Sequence, residues 1–188
     1  MSRVILGVDP GLTRCGVAVI EAAKTRTVRM LAVDTLRTSP SEELPKRLLG
    51  IANGIEKLIL EHKPTVIAIE RVFAQANVRS VMSVAQISGV VMFLAEKHGV
   101  AVQMHTPSEV KAAVTGSGRA EKAQIGLAIS KILGLTEIPK PADSADALAI
   151  AICNAWKSPI AATGSATPTS AQAAWLAGER ASKRKAKP

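Results

Sequence analysis

The chain has 188 residues, 47% hydrophobic and 2% aromatic, with a formal net charge of +9. That length suits one domain whose core must come from Ala, Val, Ile and Leu, followed by a tail. The charge points to a polyanionic partner, nucleic acid first. Cys15 and Cys153 stand far apart with no Cys-x-x-Cys or Cys/His cluster, which excludes a zinc site of the usual spacing. No apolar run approaches the roughly 18 residues of a membrane helix, and Met1-Ser2-Arg3 leads straight into a strand without a secretory pattern. A cytoplasmic location with reduced thiols is the expectation.

Residues 3 to 9 read as a buried strand closed by Pro10-Gly11. Residues 15 to 21 and 28 to 36 read as two more, and the short turns between them favour an antiparallel meander. Leu44, Leu48, Ile51, Ile55, Leu58 and Ile59 recur at helical spacing, predicting a helix over 41 to 62 with Ser41 as its cap. Lys63-Pro64 stops it. A fourth strand spans 65 to 70, followed by a polar loop over 71 to 77. A helix over 78 to 98 ends at Gly99. A fifth strand covers 100 to 105, and a short helix lies near 108 to 114. Helices over 120 to 133 and 143 to 156 complete the body.

Beyond Pro159 the composition shifts to Ala, Ser, Thr, Gly and Lys, and Arg180, Lys183, Arg184, Lys185 and Lys187 face a single acid, Glu179. This reads as a basic, disordered or loosely helical tail over 159 to 188, with the folded domain at 1 to 158. The whole is an α/β chain, a mixed five-stranded sheet flanked by helices.

Four acids break the polarity pattern. Asp9 and Glu70 each end an apolar run, and Asp143 and Asp146 open another. Charges at the tips of buried segments need a cation or a shared proton. In this sheet the first and fourth strands can lie side by side, which brings Asp9 and Glu70 to one edge within a few ångströms. Asp143 and Asp146, spaced i, i+3, share one face of a helix's first turn. Each acid has a plainer reading, as a helix-dipole partner or a turn residue. Together they suggest a divalent-metal site in an enzyme that cuts a polyanion. The hairpin from Gly7 to Gly16 also suits the phosphate loop of actin-like ATPases and sugar kinases. Those need two large domains and a second phosphate hairpin, for which this chain has no room.

Four stretches carry a more specific resemblance. Val8-Asp9-Pro10-Gly11, Ala68-Ile69-Glu70-Arg71-Val72-Phe73, Gly118-Arg119-Ala120-Glu121-Lys122 and the run from Ala142 to Ala151 are similar, in order and spacing, to motifs of the RuvC family of bacterial crossover (Holliday) junction endodeoxyribonucleases. The resemblance covers about residues 3 to 156 and departs at Ser144, where the family often carries Ala. It implies a ribonuclease-H-like fold and a homodimer. It implies resolution of four-way DNA junctions by two-metal hydrolysis, with paired symmetric nicks that leave 5′-phosphate and 3′-hydroxyl ends, in homologous recombination and DNA repair. RuvA and RuvB are implied as partners.

On this resemblance Asp9, Glu70, Asp143 and Asp146 are the catalytic and metal-binding set. The hard oxygens suit Mg²⁺, with Mn²⁺ able to substitute, two ions per active site. Lys111 and Lys122 match basic positions that handle DNA, and Phe73 matches an aromatic that stacks on an unpaired base. Arg71 and Arg79 border the same loop as further DNA-binding candidates. The alternative on the same fold is a non-catalytic nucleic-acid-binding or nucleotide-switch protein, which could dispense with Glu70 or Asp146. His62, His98 and His105 are read as structural, Trp156 with Leu148 and Ile152 as core. The face around Val81, Val84, Val91 and Leu94 is left between core and dimer contact.

Overall fold

The three-dimensional structure, a computed structural model, describes residues 2–71 and 78–157. Five strands form one sheet in the order β3-β2-β1-β4-β5. They are β1 (Arg3–Asp9), β2 (Arg14–Ala22), β3 (Val28–Arg37), β4 (Val66–Glu70) and β5 (Ala101–His105). β1, β2 and β3 run antiparallel as a meander, whereas β4 pairs parallel with β1 and β5 parallel with β4. The expected mixed five-stranded sheet is therefore present. The helices are α1 (Leu44–His62), α2 (Val78–Lys97), α3 (Pro107–Thr115), α4 (Lys122–Leu133) and α5 (Ala142–Trp156).

Strand side chains alternate between faces, so each strand feeds two cores. Leu6, Val8, Val17, Val19, Ile67 and Ile69 meet Ile51, Ile55 and Ile59 of α1 and Ile87, Val91 and Leu94 of α2. Ile5, Ala18, Ile20, Val66 and Ala68 point the other way, into α5 and the flanking α3 and α4. Asp9 continues the Ile5–Gly7 parity and Glu70 the Val66–Ala68 parity. Both acids therefore face α5. Val91 and Leu94 are core, whereas Val81 and Val84 are only half-buried.

α5 is buried nearly all round from Ser144 to Asn154, and small residues dominate it. Such a helix lies between layers rather than on a surface. Its backbone rests directly on the sheet. A Cβ at Gly7 would collide with the carbonyl of Ala147 and come within 2.9 Å of Ala151, and one at Gly16 would collide with the carbonyl of Asp143.

Three expectations need correction. α1 begins at Leu44 with Glu43 as its N-cap, not at Ser41. With Ser41 as cap, Pro45 would fall at the first position whose N–H must bond back to the cap carbonyl, and proline has no N–H. Ser41 instead pairs its hydroxyl with that of Ser39 at 2.7 Å. α4 starts at Lys122 rather than about 120, its cap Glu121 donating its backbone N–H to Gln124 Oε1 at 2.9 Å. Trp156 is at the core's margin: its indole N–H donates to the Arg26 carbonyl at 2.8 Å, and the Arg26 guanidinium lies 4.8 Å from the ring centroid. The expected tail, 159 to 188, lies outside the described residues.

The seating of α5 gives a direct test. Gly7→Ala adds one methyl where backbone already stands, and overpacking of this kind costs about 1–3 kcal/mol. In a chain of this size that is a fall in Tm of roughly 2–4 °C per kcal/mol. Thermal melts of the full chain should show the drop; an unchanged midpoint would mean that the helix can lift freely.

Candidate active site

One row of same-face residues crosses the sheet at its functional edge. Thr35 of β3 pairs with Gly16 of β2, and Gly16 pairs with Asp9 of β1. Val8 pairs with Ile69, so Glu70 of β4 is next to Asp9, and Glu70 pairs with His105 of β5. The first turn of α5 is laid across this row. The Ser144 hydroxyl is buried and 3.0 Å from the Thr35 hydroxyl. The serine that departs from the family pattern is thus satisfied by a partner on β3.

Asp9, Glu70, Asp143 and Asp146 all border one cleft of about 320 Å³. Lys111 and Lys122 line it too, with Pro107, Val110, Ile125, Ala149 and Ile150 as its apolar floor and walls. Six of the nine residues expected at the site are thus brought together. The capping box of α3, in which Thr106 and Glu109 satisfy each other's backbone N–H groups, fixes the turn before Lys111. Lys122 is the first residue of α4, and its ammonium is 3.4 Å from Asp146 Oδ2.

The field in the cleft is that of crowded acids. Burial first, then the carboxylates of Asp146, Glu70 and Asp143, push the Asp9 carboxyl up to about 7 against the opposing charge of Lys122. Glu70 is raised as well, by burial first and then by Asp146, with Lys111 and Lys122 opposing. Among the described residues no three Asp, Glu, His or Cys side chains close on one chelating point. Protein cations hold two of the acids instead: Lys122 pairs with Asp146, and Arg14 Nε lies 3.2 Å from Asp143 Oδ2. That contact is an ion pair without an aligned hydrogen bond. Sequence reasoning missed Arg14, because its nearness to Asp143 is set by where α5 crosses β2.

The other expected residues are placed differently. Arg71 is exposed at the end of β4, its backbone N–H donating to the His105 carbonyl at 2.6 Å, and it does not line the cleft. Phe73 lies outside the described residues, and Arg79 belongs to α2 with its side chain outside them. His105 is buried behind Glu70, and its Nε2 accepts from Asn154 Nδ2 at 3.0 Å. Burial first, then Lys157, lowers its pKa, with Glu109 opposing. That suits a neutral, structural imidazole. His98 bonds Glu56 at 2.7 Å on the far side of the sheet.

Comparison with known proteins agrees with this geometry. The family described as crossover junction endodeoxyribonuclease RuvC matches residues 5–154. A crossover junction endodeoxyribonuclease RuvC from Clavibacter michiganensis is 52% identical over 195 residues, covering 94% of this chain and 96% of the relative. Another from Streptomyces griseus is 56% identical over 155 residues, covering 82% and 76%. RuvC of Thermus thermophilus, solved in complex with a Holliday junction substrate, superposes with a TM-score of 0.78 at 33% identity, covering 81% of this chain and 93% of that one. The yeast mitochondrial Holliday junction resolvase shares the fold at 15% identity and a TM-score of 0.59. The sheet order, the acid-bearing row and these matches establish a ribonuclease-H-like nuclease, and the chain belongs to the RuvC family of crossover junction endodeoxyribonucleases.

Proposed function

We propose that this chain resolves four-way DNA junctions, hydrolysing one phosphodiester per active site at the cleft formed by Asp9, Glu70, Asp143 and Asp146. The observation that carries the reading is the convergence of four acids from three separate stretches on one cleft beside two lysines. A non-catalytic binder of the same fold would have no use for a buried carboxyl cluster that holds Asp9 partly protonated near neutral pH. The donor set suits a hard cation: carboxylate oxygens, with no His or Cys lining the cleft. Mg²⁺, two ions per site, is the proposed cofactor, with Mn²⁺ as a substitute. Bound there, the metal would polarise the scissile phosphate and make water a better nucleophile.

The chain's own residues perform the rest. Lys111 and Lys122 receive phosphate oxygens at the cleft walls, and both also restrain the acids they face. Asp9, at the centre of the row, would give up its proton as cations enter. Phe73 is assigned to stacking on a base unpaired at the junction. Arg71 and Arg79 remain weaker candidates for contacts along the same strand.

Paired symmetric nicks, leaving 5′-phosphate and 3′-hydroxyl ends, require two sites and therefore a homodimer. Met82 and Phe93, eleven residues apart on α2, are exposed apolar side chains on nearly one stripe, which supports such a contact. Work beside RuvA and RuvB in the cytoplasm, in recombination and repair, completes the reading, as does the division into a nuclease domain at 1–158 and a basic tail at 159–188. Among the described residues no helix is long and apolar enough to cross a membrane.

Cleavage of a synthetic four-way junction in Mg²⁺ tests the assignment. Asp9→Asn and Glu70→Gln should each retain junction binding and lose cutting by at least about 10³-fold. Retained cutting in either variant would refute it. Phe73→Ala should bind with near-parental affinity and cut more slowly; unchanged turnover would remove the stacking role.

Asp9 also predicts a sign for stability. Between about pH 4, where an unfolded Asp ionises, and about 7, the folded chain keeps a proton that the unfolded chain has released. Stability from this group therefore falls as pH rises through that window. In EDTA, Asp9→Asn should melt above the parent at pH 8, with the gap closing towards pH 4. Melting below the parent at pH 8 would show that the carboxylate is not under repulsion.

A further inference from the structure

We infer that Arg14 and Arg37 form a phosphate-binding pair that holds the DNA backbone where it leaves the acid cleft over the β2–β3 edge. The inference rests on the nuclease reading and adds to it a binding site on the β3 side of Asp9. The two arginines are register partners across β2 and β3, one same-face row beyond Thr35, Gly16 and Asp9. Residues directly opposite in an antiparallel pair have Cβ atoms about 4.5–5.5 Å apart and point the same way. Both side chains are exposed.

Like charges at such a position oppose strand pairing. A chain that keeps two guanidiniums there, and that places a single carboxylate against them, leaves a standing demand for an anion. That carboxylate is Asp143, 3.2 Å from Arg14. It belongs to the catalytic set, so its charge is already committed to the cleft. Among the described residues Arg37 has no ion pair and no side-chain hydrogen bond.

The platform beneath the pair is held firmly. Arg47 of α1 reaches the same sheet edge and donates to the hydroxyls of Thr13 at 2.8 Å and Thr38 at 2.9 Å. The Thr38 backbone N–H donates to the Thr13 carbonyl at 3.1 Å. Thr13 precedes Arg14 and Thr38 follows Arg37, so the neighbours of both arginines are tied to each other and to α1. A guanidinium fork set on a fixed backbone matches phosphate oxygens bidentately with little ordering left to do. The strand order puts Arg37 and Arg14 on one side of Asp9 and Glu70 on the other. A backbone threaded past Asp9 would therefore meet Lys111 and Lys122 at the cleft and the arginine pair as it exits.

The test is a titration of a labelled four-way junction with the full chain in EDTA at several salt concentrations. Arg14→Gln/Arg37→Gln should weaken binding about tenfold near 0.15 M salt and flatten the salt slope by about one unit per lost contact. Arg14→Lys/Arg37→Lys should keep most of the slope. Lys24→Gln, at the far end of the same hairpin, should match the parent. Melting of Arg37→Gln should stay level or rise, since a like-charge pair is removed while the Arg14–Asp143 contact is kept; should the double variant fail to fold, Arg37→Gln alone should still lose about one unit. A parent that binds the junction together with a glutamine variant of unchanged affinity and slope overturns the pair. So does a fall in melting temperature with binding unaltered. A parent that fails to bind the junction counts against the nuclease reading instead.

Discussion

The site depends on the direct contact of a helix backbone with a sheet. A helix can carry two carboxylates to the ends of two strands only when no side chain stands between its backbone and theirs. At Gly7 and Gly16 that space is filled by the carbonyls of Ala147 and Asp143. Strand parity then does the remaining work, because Asp9 and Glu70 share the face on which α5 is seated. A slip of one residue in either strand would turn its acid into the opposite core, among Ile51, Ile55 and Ile87. The hydrophobic pattern that prevents the slip is thus also what aims the acids.

Crowding negative charge on a basic protein has a physical logic. The body's positive charge raises the local concentration of a polyanion but gives no chemistry. Four carboxylates suit a hard cation but repel a polyanion. The chain separates the two tasks by a few residues: Lys122 leans on Asp146, Arg14 on Asp143, and the charge of Lys111 opposes the burial of Glu70. Each of these bases lowers repulsion among the acids and presents a donor at the rim. The raised pKa of Asp9 reflects its burial first and then the repulsion that is left. A cation that enters the cleft relieves it, which couples occupancy of the site to its protonation.

Much of this was legible in the sequence. The acids stood out because each violates the polarity of its own segment, and the strand order followed from short turns in the first three strands and longer crossovers later. Lys111 and Lys122 were legible only through the family resemblance, since an exposed lysine has no pattern of its own. What escaped was whatever depends on cross-strand register or on the depth of a helix. Gly7 and Gly16 could be read only as part of a glycine-rich hairpin until α5 is placed over them. Arg14 carried no signal of its own, because Asp143 reaches it from more than a hundred residues away. The false cap at Ser41 had a local remedy: Pro45 already forbade a helix start that early.

α5 poses a problem of its own, and its two ends solve it. The helix is so uniformly apolar that sliding it by a residue would expose little and bury much the same area. Hydrophobic burial alone therefore sets its depth but not its position along its axis. A shift of one residue is a rise of 1.5 Å and a rotation of about 100°, enough to take Asp143 and Asp146 out of the cleft. Polar pins supply the missing specification. At the first turn the buried Ser144 hydroxyl meets Thr35. At the last, the Arg3 guanidinium donates to the carbonyls of Asn154 and Ala155 at 2.9 Å each. Nearby, Asn154 Nδ2 donates to Gln103 at 2.7 Å and to His105 at 3.0 Å. A one-residue slide would strand several of these buried groups without partners, a penalty that apolar packing cannot impose. The geometry of the acid cleft is thus set by a handful of hydrogen bonds far smaller in area than the core they register.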